Sequence, residues 1–437
     1  MTNRENWGSK AGFILAAAGS AVGLGNIWRF PYMTGKNGGA VFLVVYLGAI
    51  IIVGLPIMIA EIALGRAAKK NPVGAFTAIK PKGGWKMVGY LGVLTGVMIF
   101  SFYSVVASWS VGYFIKSITG ELNNIDSTKA GDIFNSFTAN SNWQIILTGF
   151  FILITALVVV MGVTKGIERM SKIMMPALFI ILILLVIRSV TLPNASAGLE
   201  FYLKPDFSKI NTDVVLGAMG QAFFSLSLGL GAMITYGSYL GKKDNIPSSG
   251  GWVALLDTSV AVLAGFVIFP AIFSVGGIEP TAGPGLVFQV LPIIFSKIPL
   301  GIIVGPLFFL LLMIAALTST ISLLEVPVAY LIDERKWSRK KANLVISILT
   351  FLFGIPCALS GKFLALWDFI WGNLSLSIGA FFIAIFVGHI WKTANALQEI
   401  NQGTIKFKMA KIWAFWLKYI SPVIIILILL SIILPSG

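Results

Sequence analysis

Asp257 draws attention first, because it lies inside an apolar run from residue 252 to 275 where little water is present to solvate an ionised side chain. A carboxylate at that depth is costly unless something pairs with it, so an intramembrane acid marks a functional position by default. Other apolar runs hold Asn26, Ser225, Thr318 and Ser319, which together with Asp257 offer carboxylate, amide and hydroxyl oxygens at mid-run depth. Oxygen donors of this kind suit a hard cation such as sodium. No Lys or Arg occupies the middle of any apolar run, which argues against a structural ion pair for Asp257. The hydroxyls keep two readings, since Ser and Thr in apolar helices also bond back to their own backbone. One cysteine, Cys357, and one histidine, His389, exclude a disulfide framework and a Cys/His metal cluster. Neither a nucleophile with a base nor a nucleotide-binding loop is present, so no catalytic residues are expected and the chain does not read as an enzyme.

Two glycine-bearing stretches place backbone chemistry beside these side chains. The first apolar run contains Gly19-Ser-Ala-Val-Gly23-Leu-Gly25-Asn26, and the sixth contains Ser225-Leu-Ser-Leu-Gly229-Leu-Gly231-Ala232. Within hydrocarbon, an unwound turn is tolerated only where its free amides and carbonyls face protein, a ligand or a cavity. There it makes a site: half-helix N-termini present N–H groups to a carboxylate, and unpaired carbonyls suit sodium. A single copy would equally fit close helix packing through the small-xxx-small spacing of Gly19 and Gly23. Two copies at matching positions favour two broken helices.

The elements that must carry these groups follow from composition. With 437 residues, 57% of them hydrophobic, 11% charged, and a mean hydropathy of +0.91, the chain is too apolar for a soluble domain. Runs long enough to span a bilayer fall at about 11–33, 39–65, 88–117, 143–162, 173–191, 214–240, 252–275, 300–331, 342–359, 363–391 and 416–434. The expected fold is therefore an all-α membrane protein of eleven transmembrane helices in one domain, 1–437. The piece from Gly285 to Ile298 is short and bracketed by prolines, and reads as a re-entrant or surface hairpin on the outside. The N-terminal run resembles a signal peptide, but it continues through Asn26 and Arg29 without a cleavage site and is expected to be retained.

The net charge of +15 falls in short loops rather than along one face, so it sets topology and does not indicate nucleic acid. Arg66, Lys69, Lys70, Lys80, Lys82 and Lys86 follow the second span, and Arg335, Lys336, Arg339, Lys340 and Lys341 follow the eighth, whereas the loop near 119–141 carries Glu121, Asp126 and Asp132. Basic loops stay cytoplasmic. The N-terminus is then inside and the C-terminus outside, in a bacterial inner membrane. Because five spans separate the two glycine stretches, the second copy is flipped. Residues 1–191 and 214–391 then form an inverted 5+5 repeat with discontinuous helices 1 and 6, and 411–437 is an added eleventh helix.

The run Gly25-Asn26-Ile-Trp28-Arg29-Phe30-Pro31 resembles the neurotransmitter:sodium symporters and is similar to their bacterial amino-acid members, including leucine and tyrosine transporters. Asn37-Gly-Gly39, Pro56 with Glu61 and Gly65-Arg66, Gln221-x-Phe-Phe-Ser-Leu-Ser-Leu-Gly229, and Leu317-Thr-Ser319 extend the match over spans 1 to 10. The resemblance implies two sodium sites. The first would use Ala21 (carbonyl), Asn26, Ser225, Asp257 and the substrate carboxylate. The second would use the carbonyls of Gly19, Val22 and Ala315 with the hydroxyls of Thr318 and Ser319.

It also implies that the substrate carboxylate meets the amides of Leu24 and Gly25 and the hydroxyl of Tyr103. The side-chain pocket would be lined by Ile99, Val106, Phe224, Ser227, Leu230, Ser319 and Leu323. Arg29 and Asp368 would form an outer gate above Tyr103 and Phe224, while Arg4, Trp7, Ser238, Tyr239 and Asp333 would form an inner one. An interfacial snorkelling pair is the other reading of Arg29 and Asp368.

Departures from the family pattern sharpen the expectation. Gly23 replaces the aspartate of amine-transporting relatives, so a neutral amino acid fits, and Leu230 replaces a phenylalanine and leaves room for a bulky hydrophobic or aromatic one. Asp257 stands where many relatives have asparagine, and Ala261 where chloride-independent members carry glutamate. A fixed carboxylate beside sodium would substitute for chloride, which is then not required. Gly166 and Pro176 in span 5 leave open a segment that unwinds and a static kink. The twelfth span of the family is absent, and a monomer or weak dimer is expected. Sodium ions, an amino acid and the bilayer are the expected partners. A cation channel or an amino-acid sensor on the same scaffold is the alternative.

Overall fold

The computed structural model describes residues 5–275 and 283–434, and the described residues form helices with no strand. Among the described residues, nine continuous helices are long and apolar enough to cross a membrane. They are span 2 (Ala40–Ala68), span 3 (Lys86–Ile118), span 4 (Ser141–Val160), span 5 (Val163–Val190), span 7 (Ile246–Val275), span 8 (Gly301–Arg335), span 9 (Arg339–Leu359), span 10 (Gly361–Ile390) and span 11 (Ala410–Ile433). Span 1 is a bent pair, Lys10–Ala21 and Gly25–Lys36, with 53° between its halves.

Span 6 is more strongly divided. Its halves, Thr212–Ser225 and Ala232–Gly237, are 14 and 6 residues long, and neither reaches across a bilayer by itself. The eleven apolar runs thus become nine continuous helices and two interrupted ones, with the interruptions at the two glycine stretches. The ends are called inner and outer below, after the orientation expected from the basic loops.

Burial separates a central scaffold from its periphery. The most apolar window of span 3 is 83% buried and that of span 11 is 28% buried, so span 3 is scaffold and span 11 offers most of its surface to lipid. Span 3 packs along span 8, and the first half of span 1 lies against spans 5, 7 and 8. Span 5 is helical through both Gly166 and Pro176, after Gly162 at φ 90°.

The Gly285 to Ile298 piece does not span. It holds a short helix, Val290–Lys297, preceded by buried Leu286, Val287 and Phe288. Phe288 gathers Trp28, Trp109, Tyr113, Phe134 and Phe309 around its ring, with centroids 5.1–6.4 Å away. The segment therefore caps the outer end of the bundle.

Candidate functional site

The backbone of span 1 leaves the helix at Val22, which is extended at φ −65° and ψ 120°. It re-enters through a wide π-helical turn, Gly25–Arg29. Gly23 sits at the point of closest approach: a Cβ there would lie 2.5 Å from both Ser319 Oγ and Tyr103 Oη. In span 6, Ser227, Gly229 and Gly231 all have positive φ, at 52°, 89° and 83°. Gly229 is held from two sides, its amide donating to Glu61 Oε1 at 2.8 Å while a Cβ would fall 2.1 Å from the Leu376 carbonyl oxygen. Only glycine meets both demands.

Three spans bring the first oxygen cluster together. Asn26 Nδ2 donates to Asp257 Oδ1 at 2.8 Å, to the Asp257 carbonyl at 3.0 Å and to Ser225 Oγ at 3.0 Å. Ser225 Oγ in turn donates to Asp257 Oδ2 at 2.8 Å, and Tyr46, which sequence reasoning missed, reaches Ser225 Oγ at 3.3 Å. All four side chains are buried. Gln221 closes the neighbouring turn by donating to the Gly25 carbonyl at 2.9 Å.

The second cluster joins spans 1 and 8. Ser319 Oγ lies 2.9 Å from the Val22 carbonyl, and Thr318 Oγ1 lies 2.9 Å from the Ala315 carbonyl and 3.4 Å from that of Val22. Gly19 faces Thr318 closely enough that a Cβ would be 3.1 Å from Thr318 Cβ. The second set is oxygen throughout, as sodium requires; in the first, Asn26 turns its Nδ2 to the Asp257 and Ser225 oxygens while its Oδ1 accepts from the Gly23 amide at 3.0 Å. No group of three or more His, Cys, Asp or Glu exists among the described residues to favour a transition metal.

A cavity of about 40 Å³ lies between the clusters. Ala21, Gly23, Gly25, Ile99, Tyr103, Phe224, Ser227, Leu230, Ser319 and Leu323 line it. Ser20 and Leu376 join them; no motif marked either. Ser225 points into the oxygen cluster instead. Val106 lines a second, outer chamber of about 250 Å³, about one helical turn beyond Tyr103. Leu24 also lines that chamber, and its amide donates to Tyr103 Oη at 2.9 Å. Tyr103, Phe224 and Gly25 border both spaces and form the partition.

Arg29 and Asp368 face the outer chamber but do not form an ion pair. Arg29 Nη2 donates to Asn373 Oδ1 at 2.9 Å, and the guanidinium lies 4.5 Å from the Phe224 ring centroid. Asn373 Nδ2 donates to the Asp368 backbone carbonyl at 3.1 Å, so this residue, which no motif marked, links the Arg29 side chain to the Asp368 main chain.

The inner end is packed. Trp7 donates from its indole to the Tyr236 carbonyl (3.0 Å) and from its amide to the Tyr239 carbonyl (3.2 Å). Tyr239 Oη donates to Glu325 Oε1 at 2.6 Å, Arg339 Nη1 reaches Glu325 Oε2 at 2.7 Å, and Arg339 Nε stands 3.4 Å from Glu5 Oε1. Asp333 Oδ2 accepts from the Asn71 amide at 2.8 Å, and Ser238 Oγ donates to the Thr235 carbonyl at 2.5 Å. Arg4 lies outside the described residues. Glu5, Glu325 and Arg339 belong to this closure and had not been singled out for it.

Two interrupted helices that hold oxygen clusters around a cavity, with a barrier toward each end, define a secondary transporter. The chain belongs to the sodium:neurotransmitter symporter family, whose model matches residues 4–136 and 129–436. It is 39% identical to a sodium-dependent transporter of Bacillus subtilis, over 98% of this chain and 97% of that one. It is 35% identical to a sodium-dependent transporter of Methanocaldococcus jannaschii, over 97% and 89%. The crystal structure of MhsT in complex with L-phenylalanine superposes with a TM-score of 0.91 at 46% identity, covering 98% of this chain and all of that one. The chain is thus a multi-pass membrane protein of a sodium-coupled transporter class.

Proposed function

We propose that the protein imports a neutral, bulky hydrophobic or aromatic L-amino acid together with sodium, by alternating access. The observation that carries this reading is the convergence of Asn26, Ser225 and Asp257 from three spans, beside two broken helices and a cavity. The first sodium would sit at this cluster with the Ala21 carbonyl and the substrate carboxylate, and the second at Gly19, Val22, Ala315, Thr318 and Ser319. The substrate amino-acid moiety would face the break at Gly23 to Gly25 and Tyr103. Its side chain would face Ile99, Leu230, Leu323 and Leu376, an aliphatic wall that suits an apolar residue. The L-phenylalanine bound by MhsT supports the same class. The orientation, with the N-terminus inside a bacterial inner membrane, and the 5+5 repeat over 1–191 and 214–391 belong to this proposal.

Two sodium ions moving inward with a zwitterion carry two charges, worth about 4.6 kcal/mol at 100 mV. A tenfold sodium gradient adds about 1.4 kcal/mol per ion, for a total near 7 kcal/mol and accumulation on the order of 10⁵-fold. Sodium entry would replace the Asn26 to Asp257 hydrogen bond with ion contacts, so ion and substrate stabilise the same arrangement. Asp257 supplies a fixed negative charge beside the first site, and chloride would not be required.

Uptake of the twenty amino acids into proteoliposomes, with sodium or potassium outside, tests the proposal. Sodium-dependent uptake of large apolar amino acids is expected, lost in Asp257→Ala and unchanged when gluconate replaces chloride. Sodium-independent uptake, or ion conductance without substrate, would overturn the transport reading; a large chloride effect would overturn only the charge substitution.

A further inference from the structure

A wide cavity opens beside the transport path at its outer end. It is a crevice of about 1140 Å³ at the outer end, bounded by the end of span 1, the start of span 6 and the last turns of span 11. Its walls differ in character. Span 11 contributes Leu427, Leu430 and Leu434, which are 46–68% exposed and belong to the least buried of the spans. The opposite rim carries Lys36 and Lys209, both exposed, and Arg29 lies deeper. Asp213 is the one acid on the wall, so three cations face one anion. Lys36 has no ion-pair partner among the described residues, and Lys209 makes only a 3.7 Å approach to Asp206. An aliphatic wall exposed toward hydrocarbon, joined to a basic rim at the level of the membrane surface, matches the two halves of a phospholipid.

We propose that this crevice binds an anionic phospholipid from the outer leaflet, with its phosphate between Lys36 and Lys209 and an acyl chain along span 11. A soluble anion would use the rim but leave the span 11 wall bare, and a zwitterionic lipid would use the wall but gain less from the rim. The site also touches the transport path: Arg29 and Asn373 line the crevice, and Arg29 lines the outer chamber as well. A lipid headgroup there lies back to back with the outer gate.

Native mass spectrometry of the full chain in detergent, titrated separately with dioleoyl phosphatidylglycerol and dioleoyl phosphatidylcholine, tests this. The phosphatidylglycerol adduct is expected to bind more tightly, and Lys36→Gln with Lys209→Gln to weaken it by about fivefold per lysine while leaving phosphatidylcholine unchanged. Ser431→Trp, which narrows the crevice from span 11, is expected to weaken both lipids, with the melting temperature confirming that each variant is folded. Equal retention of the two lipids, or unaltered phosphatidylglycerol binding in the double-lysine variant, would overturn the site. So would inorganic phosphate that competes fully at millimolar concentration in both the parent and Ser431→Trp, because a simple anion site would then suffice. The readout is lipid retention and not uptake, so failure here is distinct from failure of the transport reading.

Discussion

The two ends of the transport path are closed by different physics. At the inner end, buried Glu325 accepts from Tyr239 and Arg339, Arg339 reaches on to Glu5, and Trp7 is pinned by two hydrogen bonds to the carbonyls of the second half of span 6. At the outer end a 250 Å³ chamber remains above the Tyr103 and Phe224 partition, Arg29 and Asp368 stay apart, and Trp28, which lines the chamber, packs edge-on against Phe288. A buried ion pair such as that of Glu325 and Arg339 resists opening, because one lost partner leaves a charge stranded. Ring packing and a single side-chain hydrogen bond yield more easily. The described conformation is therefore shut firmly at the inner end and lightly at the outer end.

The largest effect should come from Glu325→Ala. Removing one member of a buried pair costs about 3–5 kcal/mol, which would shift the inner end toward open by about 10² to 10⁴-fold. A cysteine placed at Ser238 in a Cys357→Ala background should then react with a membrane-permeant thiol reagent at least tenfold faster than in the parent. Identical labelling rates would break the contrast between the ends. Phe288→Ala comes next: truncating a buried aromatic of this size costs about 3–5 kcal/mol, measured as a lower melting temperature that bound substrate does not restore. A neutral outcome would mean the outer cap of the bundle is not held by that ring. Arg29→Ala removes a charged hydrogen bond worth about 1.5–3 kcal/mol, so uptake should fall roughly ten- to hundredfold with faster escape of bound substrate to the outside. Unchanged uptake would remove Arg29 from the gate.

Much of this contrast was legible in the residues, and the misses have physical reasons. Both chain breaks could be read because glycine pairs in a hydrocarbon span must either admit a neighbour or leave the helix, and Gly23 and Gly229 do both. Asp257 was readable because a buried acid demands an account, and its partners Asn26 and Ser225 come from the same broken helices. Glu325 satisfies the same criterion, being an acid within span 8, and its partner Arg339 lies only 14 residues on; the signal was present. That Val106 lines the outer chamber and not the inner cavity was not readable, since periodicity fixes a face of span 3 but not the depth at which one space ends and the next begins. Asn373 carried no local mark. Its contact with Arg29 joins residues 344 apart in sequence, and only the packing of spans 1 and 10 makes it visible.

Asn373 gives the smallest expected effect and the sharpest test of the outer end. Its Oδ1 accepts from Arg29, and its Nδ2 donates to the backbone of Asp368, so it stands between two charges that share a chamber. Were Asn373 part of the closure, Asn373→Ala would loosen the gate and speed substrate escape, as Arg29→Ala does. The geometry points the other way: the amide holds the guanidinium on a neutral partner, and its loss frees Arg29 to turn toward the Asp368 carboxylate. One hydrogen bond of about 1 kcal/mol then shifts the gate toward closed by roughly fivefold. Release of radiolabelled substrate to the outside should slow severalfold in Asn373→Ala, opposite in sign to Arg29→Ala, and the double variant should lose that slowing because no guanidinium remains to swing. Faster release in the single variant would assign Asn373 to the barrier itself.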